Sequence, residues 1–347
     1  MTRSTFPDVD IPNLSIYDFL FGTLEEKDLA ANALVDGTTG AATTYGEMVA
    51  QVNAVAGALA ARGVDSTTTV GLLCPNSPAF AVVFHGLLRL GAIVTTINSL
   101  YTADEIENQL TDAGATWLIT VSPLLVGAEA AANAVGLDAD HLIVLDGADG
   151  HPSMRDLFAQ QATPPEVSFD PATHIAVLPY SSGTTGRPKG VMLTHRNLVA
   201  NVAQSFGTIG IEHGEVVLAV LPFYHIYGLT VLLNFALKTR SSLVTMPRFD
   251  LPEFLRIIQD QKCTWVFIAP PIAVALAKHP LVDQYDLSSI KGIFSGAAPL
   301  DANLAGAVAK RIDTNVRQGY GMTELSPVSH VIPMARDDIS LDNIGLG

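Results

Sequence analysis

The sequence predicts an α/β fold, with mainly parallel sheets sandwiched by helices. Three observations lead there. Of 347 residues, 48% are hydrophobic and only 15% charged, which excludes a disordered chain, a collagen and a coiled coil. Short apolar runs alternate with amphipathic stretches along almost the whole chain, the rhythm of strand–helix–strand units. Helix-start and helix-stop signals fall between them at fitting places.

Each element has a local reason. Thr44-Tyr45-Gly46-Glu47 reads as a capping box; Met48, Val52, Val55 and Leu59 follow at helical spacing, and Gly63 stands where a C-cap belongs. Thr69 to Cys74 reads as a strand, Ser77 to Leu90 as a helix and Ala92 to Ile97 as a strand. A second capping box, Thr102 to Glu105, opens a helix that stops near Gly114. Trp117 to Val121 is a strand, Pro123 to Val135 a helix and Leu142 to Leu145 a strand. Asp146 to Thr173, rich in Gly, Pro and Asp, reads as a loop. It suggests subdomains at about 1–150 and 171–347. Further strands are predicted at Ile175–Pro179, Val216–Val220, Leu243–Met246, Thr264–Ile268, Gly292–Phe294 and Asn315–Arg317, with helices in most of the gaps.

Composition narrows the function. Lys and Arg number 19 against 34 Asp and Glu, a net charge of −15, which argues against a nucleic-acid surface. No uncharged apolar run reaches the roughly 18 residues of a membrane span; Ala79 to Val94 is interrupted by His85 and Arg89. The N-terminus lacks a signal-peptide pattern. Cys74 and Cys263 sit in apolar runs and read as buried thiols. A cytoplasmic protein is the expectation.

Tyr180 to His195 carries the chemistry. Within Ser181 to Val191 lie three glycines, four hydroxyl side chains, Arg187 and Lys189. Glycines let backbone N–H groups approach a phosphate, hydroxyls add donors, and the cations supply charge. No Asp or Glu occurs between Asp170 and Glu212, a gap suited to anions. The spacing is not that of a Walker loop. By composition alone, a Ser/Gly-rich surface hairpin is the competing reading.

Tyr180 to Val191 resembles the phosphate-binding signature of the adenylate-forming enzymes: acyl-CoA synthetases, luciferases and peptide-synthetase adenylation domains. The chain is most similar to 4-coumarate–CoA ligases. Leu221-Pro222-Phe223-Tyr224-His225-Ile226-Tyr227-Gly228, Ser295-Gly296-Ala297-Ala298-Pro299-Leu300 and Gln318-Gly319-Tyr320-Gly321-Met322-Thr323-Glu324 resemble three further motifs of that family, in its order. Asn98 to Ile106 is also similar.

The resemblance implies ATP-dependent activation of a carboxylic acid to an acyl-adenylate, then thioester formation with CoA. Ser181, Ser182, Gly183, Thr184, Thr185, Gly186 and Lys189 would hold the β- and γ-phosphates. Thr323 would bind the α-phosphate. Glu324 would hold Mg2+, which prefers few carboxylates plus phosphate oxygens and water; taken alone, Glu324 is an ordinary surface carboxylate. Gly296, Ala297 and Ala298 would leave room for adenine, with Tyr320 stacked on its other face and Gly321 beside it. Gln318 and Gly319 would line the space between adenylate and acyl group. His225 would position the acyl carboxylate, although a lone His in an apolar stretch is more often a core residue. Arg248 would lie near the CoA phosphates, or simply at the surface.

By the same resemblance, Tyr224, Ile226, Tyr227, Thr230, Phe294, Ala297, Pro327 and Val328 would line the acyl pocket. The set offers no cation for a second carboxylate and no Asp for an amino group. It suits an aromatic propenoic acid and a medium-chain fatty acid equally. Two departures stand out: Phe294 replaces a polar residue often found before the adenine segment, and Ser326 replaces a common Gly. No TGD segment, hinge or C-terminal lobe follows. The resemblance therefore covers an N-terminal part, for which it implies adenylate binding with little thioester formation, or a catalytically silent nucleotide-binding module.

Overall fold

In a computed structural model the described residues are 6–181 and 188–347. The chain forms two compact units: Met1–Pro12, Glu25–Tyr45 and Val199–Gly347 in one, Asn13–Leu24 and Gly46–Leu198 in the other. The subdomains expected at about 1–150 and 171–347 do not match them. The stretch Asp146–Thr173 lies inside one unit because the strands after it, Ile175–Val177 and Leu193–Thr194, join the same sheet as the strands before it.

That six-stranded sheet runs in the order Leu193–Thr194, Ile175–Val177, Ile93–Thr96, Thr69–Leu72, Trp117–Thr120 and Leu142–Val144. All pairings are parallel except the first. Its helices begin and end where the signals stand. Thr102 and Glu105 form the reciprocal box that opens Ala103–Ala113, and Gly114 closes it at φ 62°. Ser77 caps Pro78–Arg89 by accepting from Phe80 N–H. Two details differ from expectation. The helix predicted from Pro123 starts as a 3-10 turn, Ser122–Leu124, before Leu125–Val135. The presumed loop holds a short helix, Met154–Ala159, opened by a Ser153–Asp156 box. Its six residues are too few to show a periodic apolar face.

The eight-stranded sheet of the other unit runs Val328–Val331, Asn315–Gly321, Gly292–Ser295, Trp265–Ile268, Val216–Ala219, Ser242–Thr245, Asn32–Asp36 and Ala42–Thr44. Only the two edge pairings are antiparallel. Trp265–Ile268 and Gly292–Ser295 are buried at every residue, as parallel strands covered on both faces must be. The strand Asn32–Asp36 was not predicted. It forms a short hairpin with Ala42–Thr44 and is joined to the sheet by Ser242–Thr245, a partner some 200 residues away in sequence. Among the described residues no helix is long and apolar enough to cross a membrane.

Candidate functional site

Parallel sheets bind ligands beyond the carboxyl ends of their strands. In the eight-stranded sheet those ends carry three of the four motifs. Val216–Ala219 leads into the His225 segment, Gly292–Ser295 into Gly296–Leu300, and Asn315–Gly321 into Met322–Pro327. Register brings the last two together: Ile268 is level with Ser295, and Ser295 with Gln318.

The last motif is a β-hairpin. Its strand continues through Gln318–Gly321, beyond the predicted Arg317, because Val328–Val331 pairs back onto it. A Cβ at Gly319 would lie 2.8 Å from the His330 carbonyl oxygen, and one at Gly321 only 2.3 Å from that of Pro327. Both glycines are thus required by close backbone approach. The hairpin loop carries Thr323, buried, and Glu324, exposed. Ser326 adopts φ 76°, the left-handed conformation that glycine takes most readily. Tyr320 keeps 46% of its surface and meets the His330 ring edge-on at 6.1 Å.

The segment after Ser295 is held as tightly. Gly296 N–H donates to Ile268 O at 3.0 Å. A Cβ on Gly296 would come within 2.7 Å of the Tyr227 ring, so this glycine lets Tyr227 lie across the adenine segment. Ala297 sits at φ 70° and, like Ala298, is exposed. Pro299 precedes the helix instead of opening it; Asp301 caps Ala302–Ile312. The Gln318 carboxamide, expected to border the ligand, hydrogen-bonds to backbone. Its Oε1 accepts from Leu300 N–H, and its Nε2 donates to the carbonyls of Leu300 and Leu341. Phe294, 3% exposed, stacks on Phe267 at 5.6 Å and Trp265 at 6.2 Å.

His225 precedes an uncommon element, the π-helix Tyr227–Asn234; such turns cluster at functional places. Gly228 is obligatory there, because a Cβ would strike the Pro222 carbonyl oxygen at 2.1 Å. His225 Nδ1 accepts from Tyr227 N–H at 3.2 Å, so the neutral ring carries its proton on Nε2. The ring reaches solvent, yet its concave surroundings desolvate it and hold its pKa below the ordinary value. Tyr224 is half-buried and Ile226 buried. Pro327 is buried and Val328 half-buried. The hydroxyls of Thr230 and Ser295 are buried and find no hydrogen-bond partner among the described residues. Arg248 is exposed in the turn before Leu251–Gln261.

The phosphate motif belongs to the six-stranded unit. Tyr180–Ser181 and Lys189–Gly190 pair antiparallel as its two stems. Ser182, Gly183, Thr184, Thr185 and Gly186 lie outside the described residues. Tyr180 anchors the stem: its hydroxyl donates to Asp112 Oδ2 at 2.5 Å, and its ring rests against Gly190. Burial, then Asp112, raises the Tyr180 pKa. Lys189 is exposed.

Sequence reasoning missed Asn201, which holds the Thr323 hairpin loop, and His330 beside Tyr320. Neither stands in a recognisable motif; strand register sets His330 opposite Tyr320, and the helix His195–Ile209 brings Asn201 to the hairpin. For magnesium the donor set fits a particular kind of site. Among the described residues no group of three or more His, Cys, Asp or Glu gathers. Glu324, an exposed carboxylate in the hairpin loop, suits an ion held mainly by phosphate oxygens and water.

The chain is 40% identical over 334 residues to 4-coumarate–CoA ligase 5 of Oryza sativa, covering 94% of this chain and 61% of that protein. It spans about 60% of the length of such curated relatives. Its fold is similar to a long-chain-fatty-acid–CoA ligase (FadD1) of Archaeoglobus fulgidus, with TM-score 0.90 and 25% identity over 99% of this chain and 71% of that one. It is also similar to the anthranilate–CoA ligase AuaEII in complex with anthranoyl-AMP, with TM-score 0.88 and 27% identity over 96% and 64%. A family model described as AMP-binding enzyme matches residues 25–346, and the chain belongs to that family.

Proposed function

We propose that this chain binds acyl-adenylates and supplies the adenylation site of an acid–thiol ligase. In the first step a substrate carboxylate oxygen attacks the α-phosphorus of ATP and pyrophosphate leaves. In the second the CoA thiol attacks the acyl carbonyl and AMP leaves. The carrying observation is the register of Ser295 with Gln318, which sets the adenine segment and the Thr323–Glu324 hairpin side by side.

The roles follow from chemistry. Gly296, Ala297 and Ala298 give the purine a flat, small-residue floor, and exposed Tyr320 offers an aromatic face. Thr323 donates to the α-phosphate, and Glu324 holds magnesium. Magnesium held there would supply stabilisation of the phosphate charge. Ser181 to Gly186 and Lys189 hold the β- and γ-phosphates, and Arg248 the CoA phosphates. His225 keeps its Nε2–H for a substrate oxygen; a carboxylate nucleophile needs no deprotonation, so its role is positioning and electrostatic. Two free, buried thiols, Cys74 and Cys263, each pushed up to about 12 by burial, accord with a reducing, cytoplasmic setting.

For the acid, an aromatic propenoate is the first reading. The stacked Phe294 gives the predicted pocket a flat aromatic wall, and the 40% identical relative is a 4-coumarate–CoA ligase. A fatty acid is the second, favoured by the TM-score of 0.90 to a long-chain ligase. Calorimetric titration with non-hydrolysable coumaroyl- and octanoyl-adenylate analogues tests both. Tighter binding of the coumaroyl analogue is expected. The reverse order would move the acid class, and no binding of either by folded protein would overturn the adenylate site.

A further inference from the structure

We infer that Asn201 is a positioning residue for the acyl side of the site, acting through the turn that carries Pro327 and Val328. Asn201 lies on the helix His195–Ile209 and is only 4% exposed. Its Nδ2 donates to Leu325 O at 3.2 Å and to Val328 O at 2.8 Å, while its Oδ1 accepts from Val328 N–H at 3.3 Å. One carboxamide thus clasps both ends of the Ser326–Pro327 turn.

The clasp answers a topological need. Val328–Val331 is the edge strand of its sheet, paired with Asn315–Gly321; on its outer side Val331 makes a bridge to Leu346, and Val328 meets no strand. The outward N–H and C=O of Val328 have no strand to pair with, and a carboxamide offers the same acceptor and donor as a peptide group. Asn201 therefore stands in for a missing strand at the one residue where the wall of the predicted acyl pocket begins. Leu325, the other end of the clasp, closes the 3-10 turn Thr323–Leu325. The adenine segment is secured separately, by Gln318 on Leu300. The two halves of the ligand site are accordingly pinned by different side chains, and a loss at Asn201 falls mainly on the acyl half and, through Leu325, more weakly on the Thr323 loop.

This inference rests on the adenylate-binding reading, and the test separates the two. AMP and the coumaroyl-adenylate analogue are titrated into wild type, Asn201→Ala and Asn201→Ser, with melting curves for each. In Asn201→Ala the analogue is expected to lose at least tenfold in affinity while AMP changes less than threefold. Asn201→Ser, which keeps one hydroxyl donor, should fall between and carries the comparison if the alanine variant melts too low. Equal losses for both ligands, or none for either, would overturn the positioning role and leave adenylate binding standing. Failure of wild type to bind either ligand would overturn both.

Discussion

The two units share an architecture and treat backbone strain oppositely. Six non-glycine residues among those described have positive φ; Arg240, Lys262, Ala297, Asp313 and Ser326 belong to the eight-stranded unit and only Gln161 to the six-stranded one. Helix ends show the contrast. In the six-stranded unit Gly114 and Gly136 take the left-handed cap. In the other, Lys262 and Asp313 do so with side chains attached. Ala297 lies within one of the motifs that face the proposed ligand, and Ser326 two residues after the other. A left-handed L-residue costs about 1–2 kcal/mol and persists only where neighbours over-determine it. Gln318 and Asn201 provide that constraint beside Ala297 and Ser326 respectively. One unit is thus locally self-consistent; the other holds strain where binding is proposed.

The largest expected effect probes the six-stranded unit. His195 is fully buried, its Nδ1 accepts from Ile16 N–H, and its ring joins Phe169 and His174 in a stack. Burial drives its pKa down to about 3. The unfolded chain therefore takes up a proton near pH 6.5 that the folded chain refuses. The stability tied to neutral His195 is complete above pH 6.5 and drains as pH falls toward 3. Between pH 6.5 and 4 this amounts to about 3 kcal/mol. Urea unfolding of wild type and His195→Asn at both pH values should show the difference; parallel pH dependence in the two proteins would refute it.

Next, Gly321→Ala is set against Gly114→Ala. The first places a methyl 2.3 Å from the Pro327 carbonyl oxygen, while the second meets nothing within 4 Å. Denaturant midpoints should report a loss of about 3 kcal/mol in the first and about 1 kcal/mol in the second, from φ alone. Equal losses would mean that the hairpin relaxes freely and that the contrast between units is unreal. Third, His225→Ala should weaken the coumaroyl-adenylate analogue about tenfold, or about 1.4 kcal/mol for a lost donor, with melting nearly unchanged. Intact affinity would remove Nε2–H from the site. Smallest, Ala297→Gly should raise stability by up to about 1 kcal/mol and loosen adenylate binding slightly. A drop in stability would show that Ala297 is not strained.

Local chemistry made much of this legible. The box at Thr102, the Ser77 cap and the apolar run Trp265–Ile268 each declare their element without help from elsewhere. The motifs in the eight-stranded unit were legible as strings, and their placement at strand ends followed from the βαβ rhythm. What escaped was set by distant pairing. Asn32–Asp36 is too short to stand out and is recruited by Ser242–Thr245. The GYG segment reads as a ligand loop until Val328–Val331 turns it into a hairpin. Gln318 sits in a ligand motif but faces backbone, a distinction that only register reveals.

The recruitment of that strand has a cost in time. Leu34 is level with Leu243, so its partner is made some 209 residues later. At roughly 5–20 residues per second of synthesis, Ala33, Leu34 and Val35 wait about 10–40 s with only the short edge strand Ala42–Thr44 beside them. Meanwhile every strand of the six-stranded sheet has emerged once Thr194 is made. On the ribosome the six-stranded unit can therefore finish first, while the apolar Ala33–Val35 stays exposed to chaperones and to neighbouring chains.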